Sequence, residues 1–320
     1  MNKIDAVFEG GGVKGIALVG AVSVIEEQGF QFENVAGTSA GAIVACLIAA
    51  GYTAGDLKNI IQRLDYRKFQ DKGWLDKLPG LGPALSLGFE KGIYEGKFFE
   101  SWLQDLLDRA PRGRVKKFKD LIMDEYKNDP RFRYKLQVIA ADITRGKMLI
   151  LPRDIVDYGI LPDELDVVLA VRMSMSIPFF YEPVILKDTT GTTCYIVDGG
   201  ILSNFPVWLM DDGTDNPPWP TFGFKLVGPT DGKPKIINGP ITMFAALFET
   251  MMEAHDAYHL AEAQFARTIP IPTLGVGTTE FNLSREKSRR LFESGVGAAR
   301  KFLQGWDFEQ YKKKYRQKRA

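Results

Sequence analysis

Apolar and polar positions at the start of the chain fall into two similar units. Residues 4–8 (Ile-Asp-Ala-Val-Phe) form a short strand pattern that stops at Gly10-Gly11-Gly12. Ile16, Leu18, Val19, Val22 and Ile25 then follow helical spacing as far as Gln28, and Gly29 is a natural stop. A second strand pattern at residues 32–36 runs into Gly37-Thr38-Ser39-Ala40-Gly41, and the apolar run 42–50 predicts a second helix ending near Gly51. Two consecutive strand-turn-helix units predict a mainly parallel sheet covered by helices. Downstream, residues 56–61 open a third helix and 98–107 a fourth, while 136–141, 148–151, 195–197 and 222–227 read as further strands. Residues 241–267 and 284–303 have the spacing of long amphipathic helices. The expected fold class is α/β, and the chain shows no internal repeat. Residues 211–220, rich in Asp, Pro and Gly, read as an excursion within one domain covering 1–320.

Composition narrows the function classes. In 320 residues, 45% are apolar and 25% charged, and the formal net charge is +1. That describes an average globular protein with no field to select nucleic acid. Cys46 and Cys194 lie far apart in apolar runs, so buried thiols in a reducing compartment are expected and a disulfide framework is not. The first residues enter a strand pattern directly, and no apolar stretch is long enough to span a bilayer, so a cytoplasmic location is expected.

The candidate chemistry sits at three glycine-bearing turns. A G-x-S-x-G sequence between a strand and a helix holds a serine on a strained turn, with Gly37 and Gly41 making room around Ser39. A serine needs a base, and the chain has two histidines, His255 and His259, four apart in the middle of a helical pattern. A triad histidine normally comes from a loop, so both are expected to be structural or surface residues, although the order Ser39, Asp198, His would match a triad. Asp256 between them is a poor substitute for the glutamate of a zinc helix, no third ligand is apparent, and no metal is expected. Asp198 ends a strand and is followed by Gly199 and Gly200, which let the backbone turn sharply. It can serve as the base only with strong stabilisation of the developing alkoxide. Residues 10–15 (Gly-Gly-Gly-Val-Lys-Gly) open the first helix and can turn successive amides into an anion nest. The same residues match a G-x-G-x-x-G dinucleotide loop at Gly10, Gly12 and Gly15, with Glu33 about twenty residues on.

Taken together, Gly10–Gly15, Gly37–Gly41 and Asp198–Gly200 resemble, in order and spacing, the signature of the patatin-like phospholipases. Residues 174–180 (Ser-Met-Ser-Ile-Pro-Phe-Phe) and 200–207 resemble two further stretches of that family. The resemblance covers about residues 4–230 well, and the remainder, helical at about 240–310, weakly. It implies a three-layer α/β/α fold with a central mostly parallel or mixed sheet, and hydrolysis of fatty acyl esters through an acyl-enzyme without cofactor or metal. It also implies Ser39 as nucleophile, Asp198 as base and an oxyanion hole from the Gly10, Gly11 and Gly12 loop, with Gly10 shaping the turn. Lys14, where many members carry arginine, keeps the positive charge but loses the planar fork.

A phospholipid or related acyl ester is therefore the expected substrate, met in transient peripheral contact with a membrane. Residues 73–96, apolar but interrupted by Gly and Pro, read either as a packed loop or as a mobile cover over the site. The basic run 311–319 reads as a solvated, frayed terminus or as an attraction to anionic head groups. Two other functions stay open: a dinucleotide-binding protein, and a lipid-binding protein of the same fold without turnover.

Overall fold

A computed structural model describes residues 2–64, 92–94, 96–228, 262–278 and 282–317, with isolated positions between these stretches. Residues 73–91 of the predicted segment 73–96, and most of residues 241–261 of the predicted helix 241–267, His255 and His259 among them, lie outside the described residues. Ten strands are described: β1 Asn2–Phe8, β2 Phe30–Thr38, β3 Gly92–Tyr94, β4 Leu136–Asp142, β5 Lys147–Leu151, β6 Phe179–Tyr181, β7 Val184–Lys187, β8 Thr193–Asp198, β9 Thr221–Val227 and β10 Thr268–Pro272. The helices are α1 Gly15–Glu27, α2 Ala40–Ala49, α3 Ala54–Arg63, α4 Lys97–Asp108, α5 Val167–Ser174, α6 Glu262–Phe265, α7 Arg285–Gly305 and α8 Phe308–Tyr315.

The main sheet has the order β10-β9-β1-β2-β4-β8-β7, with β5 also on β4. β10, β9, β1, β2 and β4 run parallel, whereas β5 and β8 are antiparallel to β4, so the sheet is mixed. Alternation along β1 divides the core. Ile4, Ala6 and Phe8 face the larger cluster under α1, α2 and α7, and Val7 faces a smaller one. Among the described residues, that second face is covered by Phe205 and by a 3-10 turn at Val207–Met210. No helix among the described residues is long and apolar enough to cross a membrane.

Helix α7 lies on α1 through glycine. A Cβ at Gly20 would sit 2.0 Å from Phe292 O, and one at Gly295 would sit 1.9 Å from Ala17 O. The described end of the predicted helix 241–267 is helical at Glu262–Phe265, labelled α6, and β10 begins at Thr268. β10 was not read from the sequence because Pro270 and Pro272 are poor strand residues, tolerated here because β10 lies at the edge of the sheet among the described residues. One expectation is corrected. The basic terminus is not frayed over 308–315. It forms α8, held by buried Tyr311 against Trp306, by Lys314 and Tyr315 on Glu262, and by Arg316 on Asp211. Apolar contact outweighs charge repulsion among its three lysines, each at the helix C-terminus where the helix dipole favours cations.

Candidate active site

Strand register brings the three glycine turns to one place. Thr38, the last residue of β2, is opposite Ile139 of β4, and the next β4 residue, Ala140, is opposite Asp198 of β8. Two residues separated by about half of the chain therefore lie at the ends of the two strands that flank β4. β1 lies on the other side of β2, with Phe8 opposite Gly37, and delivers Gly10 beside Ser39.

Ser39 joins β2 to α2 at φ 53°, ψ −127°, a conformation that costs a non-glycine residue on the order of 1–3 kcal/mol. The turn closes only with glycine at both ends. A Cβ at Gly37 would meet Gly41 C at 2.3 Å, and one at Gly41 would meet Phe8 O at 2.2 Å. The strained backbone is held in place: Ser39 N donates to Ser174 Oγ at 2.8 Å, and that hydroxyl donates to Ile139 O at 2.6 Å. The Ser39 hydroxyl is directed at Met175 Sδ, 3.8 Å away.

Asp198 has no exposed surface. Its Oδ1 accepts from Gly200 N at 2.8 Å and its own N–H donates to Ser176 O at 2.9 Å, while Oδ2 has no hydrogen-bond partner. Gly199 must lack a side chain here because a Cβ would lie 2.5 Å from Ile139 O. Burial pushes the carboxyl up to about 7, partly offset by the Gly200 amide and by the nearby Ser39 hydroxyl. The Ser39 hydroxyl lies close enough to Asp198 to lower its pKa, while its more regular hydrogen-bond geometry is with Met175 Sδ.

The glycine loop lies against the serine. A Cβ at Gly10 would be 3.0 Å from Ser39 Cβ and 2.3 Å from Asn204 Oδ1. Gly10 N donates to Asn204 O and Gly10 O accepts from Asn204 Nδ2, both at 3.3 Å, so its amide is engaged. Gly12 has φ +56° and backs onto Thr278 O, which also accepts from Val13 N at 3.2 Å. Among the described residues, the amides of Gly11 and Gly12 have no hydrogen-bond acceptor. Lys14 runs alongside Gly11, and Gly15 begins α1 against Ala40. Glu33 sits in the first half of β2 and pairs with Lys3 at 3.2 Å, so it is not where a dinucleotide loop would need its ribose acceptor. No cluster of metal-ligating side chains occurs among the described residues.

A family model described as patatin-like phospholipase matches residues 6–211, which takes in all three turns. The chain belongs to this family. An uncharacterized Bacillus subtilis protein, YqhO, is 42% identical over 95% of this chain and 99% of its own length. A probable lipid hydrolase of Invertebrate iridescent virus 6 is 25% identical over 63% of this chain and 61% of its own. The crystal structure of VipD from Legionella pneumophila superposes with a TM-score of 0.58 at 19% identity, covering 95% of this chain and 67% of that one.

For a patatin-like chain, the remaining feature of note is the space beside the serine. An apolar cavity begins at Gly12, Ala40 and Met175 and is walled by Ile43, Trp102 and Tyr181. Sequence reasoning missed Ser174, Met175, Asn204 and Thr278 as parts of the site. The first three lie in the two family-like stretches, 174–180 and 200–207, which offered a signal without a role. Thr278 offered none: it acts through its carbonyl, an atom every residue has.

Proposed function

We propose that this protein hydrolyses acyl esters of lipids, with Ser39 as nucleophile and Asp198 as base. The observation that carries the reading is a strained serine turn facing a buried carboxylate that has an unpartnered oxygen, beside a loop with two uncommitted amides. As the Ser39 oxygen attacks the ester carbonyl carbon, its proton passes to Asp198 Oδ2. The carbonyl oxygen becomes an oxyanion, which the Gly11 and Gly12 amides stabilise by charge-assisted hydrogen bonds beside the apolar cavity. Collapse expels the alcohol, which takes the proton from Asp198, and leaves the acyl group on Ser39. Water, deprotonated by Asp198, then attacks the acyl-enzyme; the Ser39 oxygen leaves, takes that proton back from Asp198, and the fatty acid is released. A carboxyl at about 7 is far better matched to moving a serine proton near neutral pH than an ordinary aspartate.

The apolar cavity starting at Met175 and Ala40 suits one acyl chain. A phospholipid or lysophospholipid substrate is supported by the family and by the lipid-hydrolase name of the viral relative. Its head group would stay at the mouth, in transient contact with a bilayer.

The test is a fluorophosphonate serine probe with fatty acyl ester and phospholipid assays on wild type, Ser39→Ala and Asp198→Asn. Wild type should label and turn over, Ser39→Ala should do neither, and Asp198→Asn should lose at least about a thousandfold in kcat. Label or activity that persists in Ser39→Ala removes the reading. Lipid binding by an inert wild type would favour the non-catalytic alternative.

A further inference from the structure

The turn that follows α5 touches both members of the proposed dyad. Ser174 Oγ accepts from Ser39 N, Met175 Sδ accepts from the Ser39 hydroxyl, and Ser176 O accepts from Asp198 N. The relative position of Ser39 and Asp198 is thus set by where these three residues lie. Ser176 is completely buried, and its hydroxyl is held twice, donating to Arg172 O at 2.9 Å and accepting from Arg172 Nη1.

Arg172 is a buried cation, 3% exposed, on α5. Besides Ser176, its guanidinium donates from Nη2 to Glu182 O at 3.0 Å and places Nε 3.6 Å from Glu100 Oε1 on α4. One face lies over the Tyr181 ring at 5.5 Å, and Tyr181 is a wall of the apolar cavity. Gly96, which caps α4 at φ +79°, fits against the other atoms of the group: a Cβ there would be 2.4 Å from Nε. A cation removed from water is expensive to bury, and this one is spread over a planar fork that meets several elements at fixed angles.

We infer that Arg172 is a positioning residue for the Ser39–Asp198 pair, acting through Ser176 to fix the turn that spaces nucleophile and base. This inference rests on the reading of Ser39 and Asp198 above. Lysine at 172 keeps the charge but cannot hold Ser176 Oγ, Glu182 O and Glu100 at once. The turn would relax, and a displacement near 1 Å between reacting groups lowers rate by up to about a hundredfold without changing how substrate is held.

The experiment compares wild type, Arg172→Lys and Ser176→Ala on a soluble acyl ester, with kcat and KM measured separately and folding checked by far-ultraviolet circular dichroism and thermal melting. Arg172→Lys should be folded, with kcat down between about tenfold and about a hundredfold and KM within about threefold. Ser176→Ala, which leaves the carbonyl on Asp198 but removes the hydroxyl Arg172 holds, should lose kcat in the same direction by a smaller factor. Unchanged kcat in folded Arg172→Lys overturns the inference, as does a rise in KM alone, which would place Arg172 behind the cavity wall through Tyr181. If Arg172→Lys does not fold, Ser176→Ala decides: lower kcat at unchanged KM supports the inference and wild-type kcat overturns it. Ser39→Ala and Asp198→Asn run in the same assay. If Asp198→Asn keeps its turnover, the dyad itself is wrong; if both are inert and the Arg172 and Ser176 variants match wild type, only the positioning role fails.

Discussion

Asp198 is proposed as the base because it is badly placed as a charge. With no exposed surface and one oxygen unpartnered, its carboxyl holds a proton to about pH 7, against 3.8 for an ordinary aspartate. Between those values the folded chain binds a proton that the unfolded chain has lost, so this group makes stability fall as pH rises from about 4 to about 7, and the loss persists above. Asp198→Asn keeps an acceptor for Gly200 N and removes the charge. It should therefore be inactive yet melt higher than wild type at pH 8, with a stability gain on the order of a few kcal/mol. The gain should shrink toward zero at pH 4. In wild type, kcat/KM should rise with pH through an acid limb near 7, because in the proposed mechanism the working form is the ionised one. Equal melting temperatures at pH 8, or an acid limb near 4, would show that Asp198 does not feel this burial. The sequence showed an aspartate before two glycines; its solvation belongs to β4, β8 and the turn after α5.

Among the elements, α1 and α7 show how position decides the effect of one kind of residue. Gly295 and Gly297 are two apart on α7, and helix propensity gives alanine an advantage of about 1 kcal/mol at either. At Gly297 a Cβ meets nothing within 4 Å, so Gly297→Ala should raise the melting temperature. At Gly295 a Cβ would lie 1.9 Å from Ala17 O, so α7 would have to lift off α1 and Gly295→Ala should cost about 1–3 kcal/mol net. Two thermal melts settle it, and a stabilised Gly295→Ala would mean that the helices are not so close. The amphipathic spacing of 284–303 was readable, and Ser284 caps the observed helix by accepting from Lys287 N at 3.2 Å. Which glycine faces a neighbour was not readable, since it depends on the crossing of two helices far apart in sequence. β10 and α8 went unread for related reasons: an edge strand tolerates prolines, and Tyr311 is anchored by Trp306, which no local pattern announces.

For the whole molecule, the direction of the parallel strands separates two ends. Ser39 and Gly10 follow the carboxyl ends of β2 and β1. Helix α8 rests on Asn216, Asp211 and Glu262, which all precede the amino ends of β9 and β10. The basic helix is thus at the opposite end of the sheet from the cavity mouth, and Lys312 and Lys314 are already paired within the protein. Replacing Lys312, Lys313 and Lys314 by serine should lower the melting temperature by a few degrees at most, because surface pairs contribute about 0–1 kcal/mol each. It should leave the ratio of hydrolysis on anionic to neutral vesicles, and its salt dependence, unchanged. A lost preference for anionic vesicles would return α8 to the membrane-facing side. The sequence by itself determined the succession of strand, turn and helix, and the three places where glycine allows a serine, an aspartate and a nest of amides to be presented. Those are local matters, fixed by periodicity and by backbone sterics within a few residues. The tertiary structure alone decided that the three turns meet, that Asp198 is fully buried, and that Arg172 and Ser176 lie behind the pair. Each of these depends on the β2-β4-β8 register and on desolvation by distant segments, which a linear pattern does not carry.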